Sequence, residues 1–272
     1  MQTVECLGIN DTAQVQGAIA NAGTVLLTGA LCKLDATINI TQSETSVLLD
    51  TKVESSAPII FNITLEHSTA ILPYARRAVL QSTHSFGRGI VIGSQANLAS
   101  SVDIGRLRIV SADSGLDVVN GSGIFIESLF LNCLPSQWTG VPGVRLRAVD
   151  TLSFNYIFTE DFGAGIRMGY DVGRVWQVSG GGLTVERAGA TNGVAMHIEP
   201  PVNEMVANVQ ISRIWSRVTK YPMLYNAVAA GSTIKKVQTG MENHLETTAT
   251  ATAKIGNVID CDYESQYFSV TG

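Results

Sequence analysis

A repeated pair of short strand patterns is the feature that most constrains the fold of this chain. Five segments share the order glycine, β-branched residue, any residue, apolar residue, any residue: GIVIG (89–93), GIFIE (123–127), GVRLR (143–147), GIRMG (165–169) and GVAMH (193–197). A second apolar pattern follows each one, in GRLRIV (105–110), ESLFLN (127–132), DTLSFN (150–155), GRVWQV (173–178) and ANVQIS (207–212), with fainter members at 235–240 and 256–261. Two short strands per recurring unit are typical of a β-solenoid, whose coils stack and share one core.

The second pattern predicts which residues lie above one another in successive coils. The equivalent positions would be Leu107, Leu129, Leu152, Val175, Val209, Val237 and Val258, at steps of 22, 23, 23, 34, 28 and 21 residues. The two longest steps then contain loop insertions. The alternative is a sandwich of hairpins, which would show a turn about every 8–12 residues, often with Asn-Gly or Asp-Gly. Because such pairs are few here, the spacing favours an all-β fold, a single-stranded parallel β-helix.

Both ends of such a stack expose apolar side chains and unpaired backbone, so both need a cover. Asp11 as N-cap, with Gln14 as its capping-box partner and Gly23 as the stop, predicts a helix over 11–22. Its apolar stripe comprises Val15, Ala18, Ile19 and Ala22. We therefore expect an N-terminal segment and capping helix (1–24), a parallel β-helix (25–240), and a C-terminal coil and cap (241–272) that is a candidate subunit contact.

The composition narrows the classes of partner. The net charge is −5 and only 15% of residues are charged, which suits an extracellular or particle-bound β protein and gives no basic footprint for nucleic acid. No apolar run approaches the ~20 residues that cross a bilayer, so no membrane insertion is expected. The start, MQTVECLGIN, lacks a signal-peptide pattern. The chain would then remain in the cell that makes it, leave by lysis or another route, or have lost a preceding segment.

The four cysteines lie far apart and form no CxxC motif. We expect buried free thiols rather than disulfides or metal ligands. The sequence therefore predicts no metal and no cofactor.

The opening segment NDTAQVQGAIANAGTVLLTGAL (10–31) resembles the start of proteins of the pectate-lyase-like superfamily. These typically read D-D-T-x-A-[IL]-Q-x-A-I-x-x-A before a valine-rich strand and Pro-Gly. The matching positions are Asn10, Asp11, Thr12, Val15, Gln16, Ala18, Ile19 and Ala22; Gly29 is present, with Thr28 in place of the proline. The resemblance implies a right-handed parallel β-helix with an N-terminal capping helix. Its function stays open, because pectin-degrading enzymes, bacteriophage tailspikes, epimerases and non-catalytic adhesins share this fold.

Within the superfamily the chain is most similar to bacteriophage tailspikes. That similarity implies a homotrimer in the virion tail, extracellular after host lysis, with other virion tail proteins and a cell-surface polysaccharide as partners. The chain is shorter than glycan-digesting tailspikes usually are, so we expect attachment rather than cleavage. The alternatives are a glycan-degrading enzyme on the same fold, either a glycoside hydrolase or a polysaccharide lyase, and a structural virion component that binds no glycan.

Stacking turns outward residues into surface columns, and one column is basic. With Ile92, Ile126, Leu146, Met168 and Met196 inward, one outward column holds Val91, Phe125, Arg145, Arg167 and Ala195, and the other holds Gly93, Glu127, Arg147, Gly169 and His197. If the coils starting at 123, 143 and 165 are consecutive, Arg145 and Arg167 lie about 5 Å apart, near Arg147. They predict a groove for an acidic sugar, carboxylate or sulfate. Alternatively, Glu127 and loop acids neutralise the cluster, leaving a solvated face or subunit contact.

Three aromatic residues are candidate platforms for sugar rings: Trp176, Trp138 and Tyr170. Trp176 takes an outward position if Val175 faces inward, and the other two lie in turns beside strands. Burial in the core or in a trimer contact is the alternative for each.

The candidate catalytic residues are Glu160, Asp161 and Glu186, which follow the second strand in successive coils. A glycoside hydrolase needs two carboxyl groups, about 5 Å apart for retention or 6.5–9.5 Å for inversion. A lyase needs a base with a cation, for which His197 and Glu199 are candidates, although a lone strand histidine is usually only surface. The motifs WIDH, NTD, GHG and RIK of the pectin-degrading enzymes do not occur, so enzymatic activity remains an open question.

Overall fold

Short runs of alternating apolar and polar residues, separated by glycine-containing or polar turns, fold into parallel strands that stack along one axis. The computed structural model shows an all-β parallel solenoid of about seven turns, which confirms the predicted fold class. The structure describes residues 1–64, 69–73, 78–134, 141–169, 173–188, 193–218, 221–225, 233–243, 251–254, 258–259 and 268–271. For residues 69, 70, 73, 187 and 188, and for all residues beyond 217, only the backbone is described.

The strands of the first half and the helix are as follows: β1 Gln2–Glu5, α1 Thr12–Asn21, β2 Thr24–Thr28, β3 Leu31–Leu34, β4 Ile38–Ile40, β5 Thr45–Leu49, β6 Lys52–Ser55, β7 Ile59–Ile63, β8 Thr69–Pro73, β9 Val79–Ser82, β10 Arg88–Ile92, β11 Ala99–Ser111 and β12 Leu116–Val118. The strands that follow are β13 Gly121–Cys133, β14 Pro142–Leu146, β15 Leu152–Glu160, β16 Ala164–Met168, β17 Val178–Ala188, β18 Val194–Ile198, β19 Met205–Val218, β20 Tyr221–Tyr225, β21 Thr233–Asn243, β22 Ala251–Lys254, β23 Val258–Ile259 and β24 Phe268–Thr271.

In the ranges that the structure describes, the strands form two sheets and every strand pairing is parallel. The larger sheet has 14 strands and runs β1-β2-β5-β8-β11-β13-β15-β17-β19-β21-β23, with β3, β6 and β9 beside this path. The smaller sheet has 10 strands and runs β4-β7-β10-β12-β14-β16-β18-β20-β22-β24. From β9 onward, consecutive strands of the chain alternate between the two sheets, whereas the earlier pairs β2/β3, β5/β6 and β8/β9 each lie in the larger sheet. Strands inside the stack pair with one strand from the coil before and one from the coil after. Residues at the same position of successive coils become neighbours at about 4.8 Å.

The core consists of columns of inward side chains between the two sheets. In the larger sheet, one column runs through Ile104, Ile126, Phe154, Gly180 and Ile211. Gly180 accommodates the largest member of that column, because a Cβ at this position would lie 2.1 Å from Cζ of Phe154. The largest residue of this column thus stacks on the smallest, as a closely packed interior requires.

Helix α1 packs against β1, β2 and β4 through the predicted apolar stripe, and Val15, Ala18 and Ile19 are buried in the core. The Asp11 carboxylate precedes the helix but accepts hydrogen bonds from the backbone N–H groups of Leu7 and Lys33 and from Gln14 Nε2. It therefore ties the incoming segment to β3. The helix is confirmed; its role as a cap and the handedness of the solenoid stay predictions. No helix in the described ranges has the length and apolar character needed to cross a membrane.

The expectation of free cysteines is wrong for the N-terminal pair, because Cys6 and Cys32 form a disulfide. Their separation of 26 residues is about one coil, so the fold brings together two cysteines that no motif connects. Disulfide sulfur atoms are not available as thiolate ligands, so this pair and the adjacent Asp11 do not form a metal site. Cys133 is free and buried, as predicted, and Cys261 lies outside the described residues.

The stacking is as predicted, but the predicted register is only partly right. Leu107 pairs with Leu129, and Val209 with Val237, which confirms those two equivalences. The equivalence of Leu129 with Leu152 is wrong, since Leu129 pairs with Ile157, five residues further on.

The remaining equivalences fail in the same way, because each predicted partner lies a few residues from the true one. Val175 bridges to Val149 and Val206, while Leu152 pairs with Val178. Near the C-terminus, Val258 pairs with Ile234 rather than with Val237. The physical reason is that β13 and β15 are long strands, of 13 and 9 residues, so a short apolar pattern matches them at more than one place.

Candidate functional site

A fully buried carboxylate, that of Asp117, organises the predicted arginine groove. Leu116 and Val118 face the core, so Asp117 between them points out of the smaller sheet. Asp117 Oδ2 accepts hydrogen bonds from Arg88 at 2.9 Å and from Arg147 at 3.0 Å, and Arg147 Nε donates to Oδ1 at 3.0 Å. We call the set Arg88, Asp113, Asp117, Arg145 and Arg147 the Asp117 cluster.

Arg145 completes the Asp117 cluster through two acids, since it lies 3.4 Å from Asp117 and 3.1 Å from Asp113. The Arg145 and Arg147 side chains are only 13% and 16% exposed. The arginines are therefore partners of buried or half-buried acids, and three cations face two anions. This arrangement resembles the neutralised alternative more than an open basic groove.

The acid that faces these arginines is not the predicted one. Arg145 and Arg167 are register neighbours, as predicted, but Arg145 has Asp117 on its other side. Phe125 and Glu127 belong to β13, in the larger sheet, so the proposed place of Glu127 beside the arginines is wrong. Both GIFIE and ESLFLN lie inside β13, whereas the strand of the smaller sheet in this coil is β12, LDV, which follows Gly115 but has Leu116 in place of the β-branched residue of the pattern.

Arg167, the next residue of this column, pairs with a different acid, Glu199. Its guanidinium lies 2.5 Å from Glu199, and His197 Nε2 lies 3.6 Å from the same carboxylate. Burial, and then the neighbouring Arg167 charge, lower the pKa of His197 to about 4, while Glu199 opposes that shift. His197 is consequently neutral at pH 7 and lies beside the Arg167–Glu199 ion pair.

The predicted acid pair is brought together on the larger sheet. Glu160, the last residue of β15, is the register partner of Glu186 in β17, so their Cα atoms are about one strand spacing apart. Glu160 also accepts a hydrogen bond from Asn132 Nδ2 of the preceding coil.

Asp161 adjoins this pair, since its backbone N–H donates to the carbonyl of Glu186 at 3.2 Å, but the residue is buried in a bend at a φ of 64°. Its charge acts instead on Cys133, whose pKa is raised to about 11 by burial first and then by Asp161. The Cys133 thiol is therefore protonated at neutral pH and unreactive.

Of the three predicted aromatic platforms, Trp176 is described by the structure, and it does not lie at this acid pair. Trp176 lies before β17 begins, with the Arg174 guanidinium 5.9 Å from its ring. Trp138 and Tyr170 lie outside the described residues.

The outer face of the larger sheet carries an aromatic patch that sequence reasoning missed. Phe130 and Phe158 are register neighbours with ring centroids 6.2 Å apart, and Tyr156 lies 5.8 Å from Phe130. Arg106 covers the Phe130 ring at 5.5 Å. One strand further, Thr184 separates Phe158 from Trp215 in the same column.

An open depression of about 610 Å³ lies beside this patch, within the usual range of about 300–1,000 Å³ for ligand sites. We call it the Gly182 pocket. Its walls are the aromatic residues Tyr156, Phe158 and Trp215, and its charged residues are Glu186 and Arg213. Gly181 and Gly182, which lie within strand β17, leave its floor without side chains.

A pattern in the sequence could have revealed these residues. Leu129, Ile157 and Ile214 are buried, and each is followed directly by an outward aromatic residue: Phe130, Phe158 and Trp215. The segment ANVQIS (207–212), which represents the second repeat pattern in the coil of β19, ends three residues before Trp215.

Comparison with models of known protein families finds none that matches the chain, and comparison with curated proteins finds no match. The function is therefore inferred from the geometry above.

Proposed function

We propose that this protein attaches to a cell-surface polysaccharide through the outer face of its larger sheet, and that the Gly182 pocket is the binding site. The observation that carries the proposal is the set of three aromatic side chains around a glycine-floored depression. The placement in a phage virion tail, as a tailspike-like homotrimer with other tail proteins, rests on the resemblance of residues 10–31 to that superfamily.

The chemistry of the pocket suits a sugar. The C–H faces of a pyranose pack on aromatic rings, and its hydroxyl groups need donors and acceptors at the rim. Tyr156, Phe158 and Trp215 supply the apolar faces, while Glu186 and Arg213 supply an acceptor and a donor. The Asp117 cluster supports the proposal less, because its arginines are engaged by acids of the same chain.

The test is binding to an array of bacterial surface polysaccharides by the wild type and two matched variants, with affinities measured by calorimetry. Trp215→Ala removes a pocket wall, and we expect at least tenfold weaker binding, about 1.4 kcal/mol. Trp176→Ala is the control, because Trp176 lies outside the Gly182 pocket. We expect this variant to bind the polysaccharide with the same affinity as the wild type. Failure of the wild type to bind any polysaccharide, or equal effects of the two variants, would contradict the proposal.

The second candidate function is a retaining glycoside hydrolase, and the register pairing of Glu160 with Glu186 favours it. Retaining enzymes hold two carboxyl groups about 5–5.5 Å apart, which is close to one strand spacing. Glu186 also lines the Gly182 pocket, where a sugar would be bound. New reducing ends after incubation with a bound polysaccharide, abolished in Glu186→Gln, would support catalysis; intact polysaccharide would leave attachment as the function.

A further inference from the structure

We infer that the Gly182 pocket takes one neutral pyranose ring of the glycan edge-on, between an aromatic wall on each side. This inference rests on the proposed function and specifies how the ligand is held. The plane of the ring would be parallel to the strands and would cross the solenoid axis. The ring would therefore stand on its edge on the sheet instead of lying flat on it.

The register of three strands sets the width of the pocket. Phe158 and Trp215 lie on β15 and β19, with only the small Thr184 of β17 between them. In the neighbouring column, Tyr156 and Arg213 flank Gly182 in the same way. Two strand spacings place the Cα atoms of Phe158 and Trp215 about 9.6 Å apart. A ring in contact with both walls at about 3.5–4 Å needs roughly 7–8 Å, so one ring fits and two do not.

The Tyr156 wall is fixed before any ligand arrives. Its hydroxyl group donates a hydrogen bond to Thr184 Oγ1 at 3.0 Å, which ties the ring to the next strand. The edge of the same ring lies against Gly182, since a Cβ there would lie 3.3 Å from Tyr156 Cδ2. A wall that is already in place loses little conformational entropy on binding. Any side chain at position 182 would press on this wall and fill the pocket.

The charges of the pocket favour a neutral ring. Glu186 and Arg213 contribute one charge of each sign to the lining. Beyond them, Glu186 has Glu160 as its register neighbour on one side and Arg217 on the other, and the charges of these two described residues are opposite. A carboxylate-bearing sugar would gain no net attraction here, whereas hydroxyl groups can bond to a carboxylate and a guanidinium alike.

The test uses a substitution that fills the pocket without weakening strand β17. Gly182→Val introduces a residue with high strand propensity, and Ser179→Val makes a matched change at an exposed position of the same strand, outside the pocket. Each protein is tested against neutral and uronate-containing bacterial polysaccharides, with folding checked by circular dichroism. If Gly182→Val does not fold, Thr184→Ile fills the same floor from the adjacent column.

We expect the wild type and Ser179→Val to bind a neutral polysaccharide equally, and the filled variant to bind at least thirtyfold more weakly. Undiminished binding by the filled variant, or binding of the wild type to uronate-containing polysaccharides alone, would overturn the inference while leaving the proposed function standing. If the wild type binds no polysaccharide, the proposed function itself fails.

Discussion

Replacing Asp117 with asparagine removes one buried negative charge and leaves nearly the same shape. The carboxylate is completely inaccessible to solvent, and it accepts hydrogen bonds from Arg88, Arg145 and Arg147 at 2.9–3.4 Å. Asparagine removes the carboxylate that these guanidinium groups share, while Asp113 still pairs with Arg145. Breaking a buried ion pair by removing one partner costs about 3–5 kcal/mol, because the remaining charge stays buried without compensation.

The measurement is the thermal midpoint of unfolding, followed by circular dichroism. For a chain of this size, each kcal/mol lowers the midpoint by about 2–4 °C, so Asp117→Asn should lower it by about 10 °C. The matched control is Asp150→Asn. Asp150 pairs with Arg174 at 3.8 Å, and both side chains are more than half exposed, so the control should change the midpoint by only about 2 °C. Equal shifts for the two variants would refute the view that Asp117 holds the cluster together.

Three further changes test the core, the titration of His197 and the N-terminal disulfide. Gly180→Ala should destabilise the protein by about 1–3 kcal/mol through overlap with Phe154, and Phe154→Leu in the same chain should restore part of the thermal midpoint. Because the pKa of His197 is about 4 when folded, the unfolded chain binds its proton first. Stability should therefore fall by about 3 kcal/mol as pH drops from about 6.5 to about 4, and His197→Gln should remove that part of the pH dependence of urea unfolding. Reduction of Cys6–Cys32 should cost about 3 kcal/mol, and a variant with serine at both positions should no longer respond to dithiothreitol.

The repeat correctly predicted some of the residue pairs that lie next to each other in successive coils, although the register was wrong in places. Arg145 beside Arg167, and Glu160 beside Glu186, are pairs that the repeat predicted and the structure contains. These two predicted pairs are correct although Leu129 does not pair with Leu152, because each pair depends only on the register of its own two strands. Stacking is therefore a stronger prediction than register, since any apolar residue near the right place can fill the core.

The parts that could not be predicted depend on residues from different coils. Asp117 lies in the segment GLDVV, which departs from the repeat at Leu116, and its partners come from the coils on both sides. Cys6 and Cys32 meet because of the length of one coil and not because of a motif. Trp215 becomes part of a site only when the register of β17 against β19 is known.

The most direct test of glycan attachment is a crystal structure of the protein with an oligosaccharide cut from the polysaccharide that it binds. Density for a sugar ring between Tyr156 and Trp215, above Gly182, is the predicted result. Density only on the smaller sheet, beside Arg145 and Arg167, would contradict the assignment of the binding site to the larger sheet.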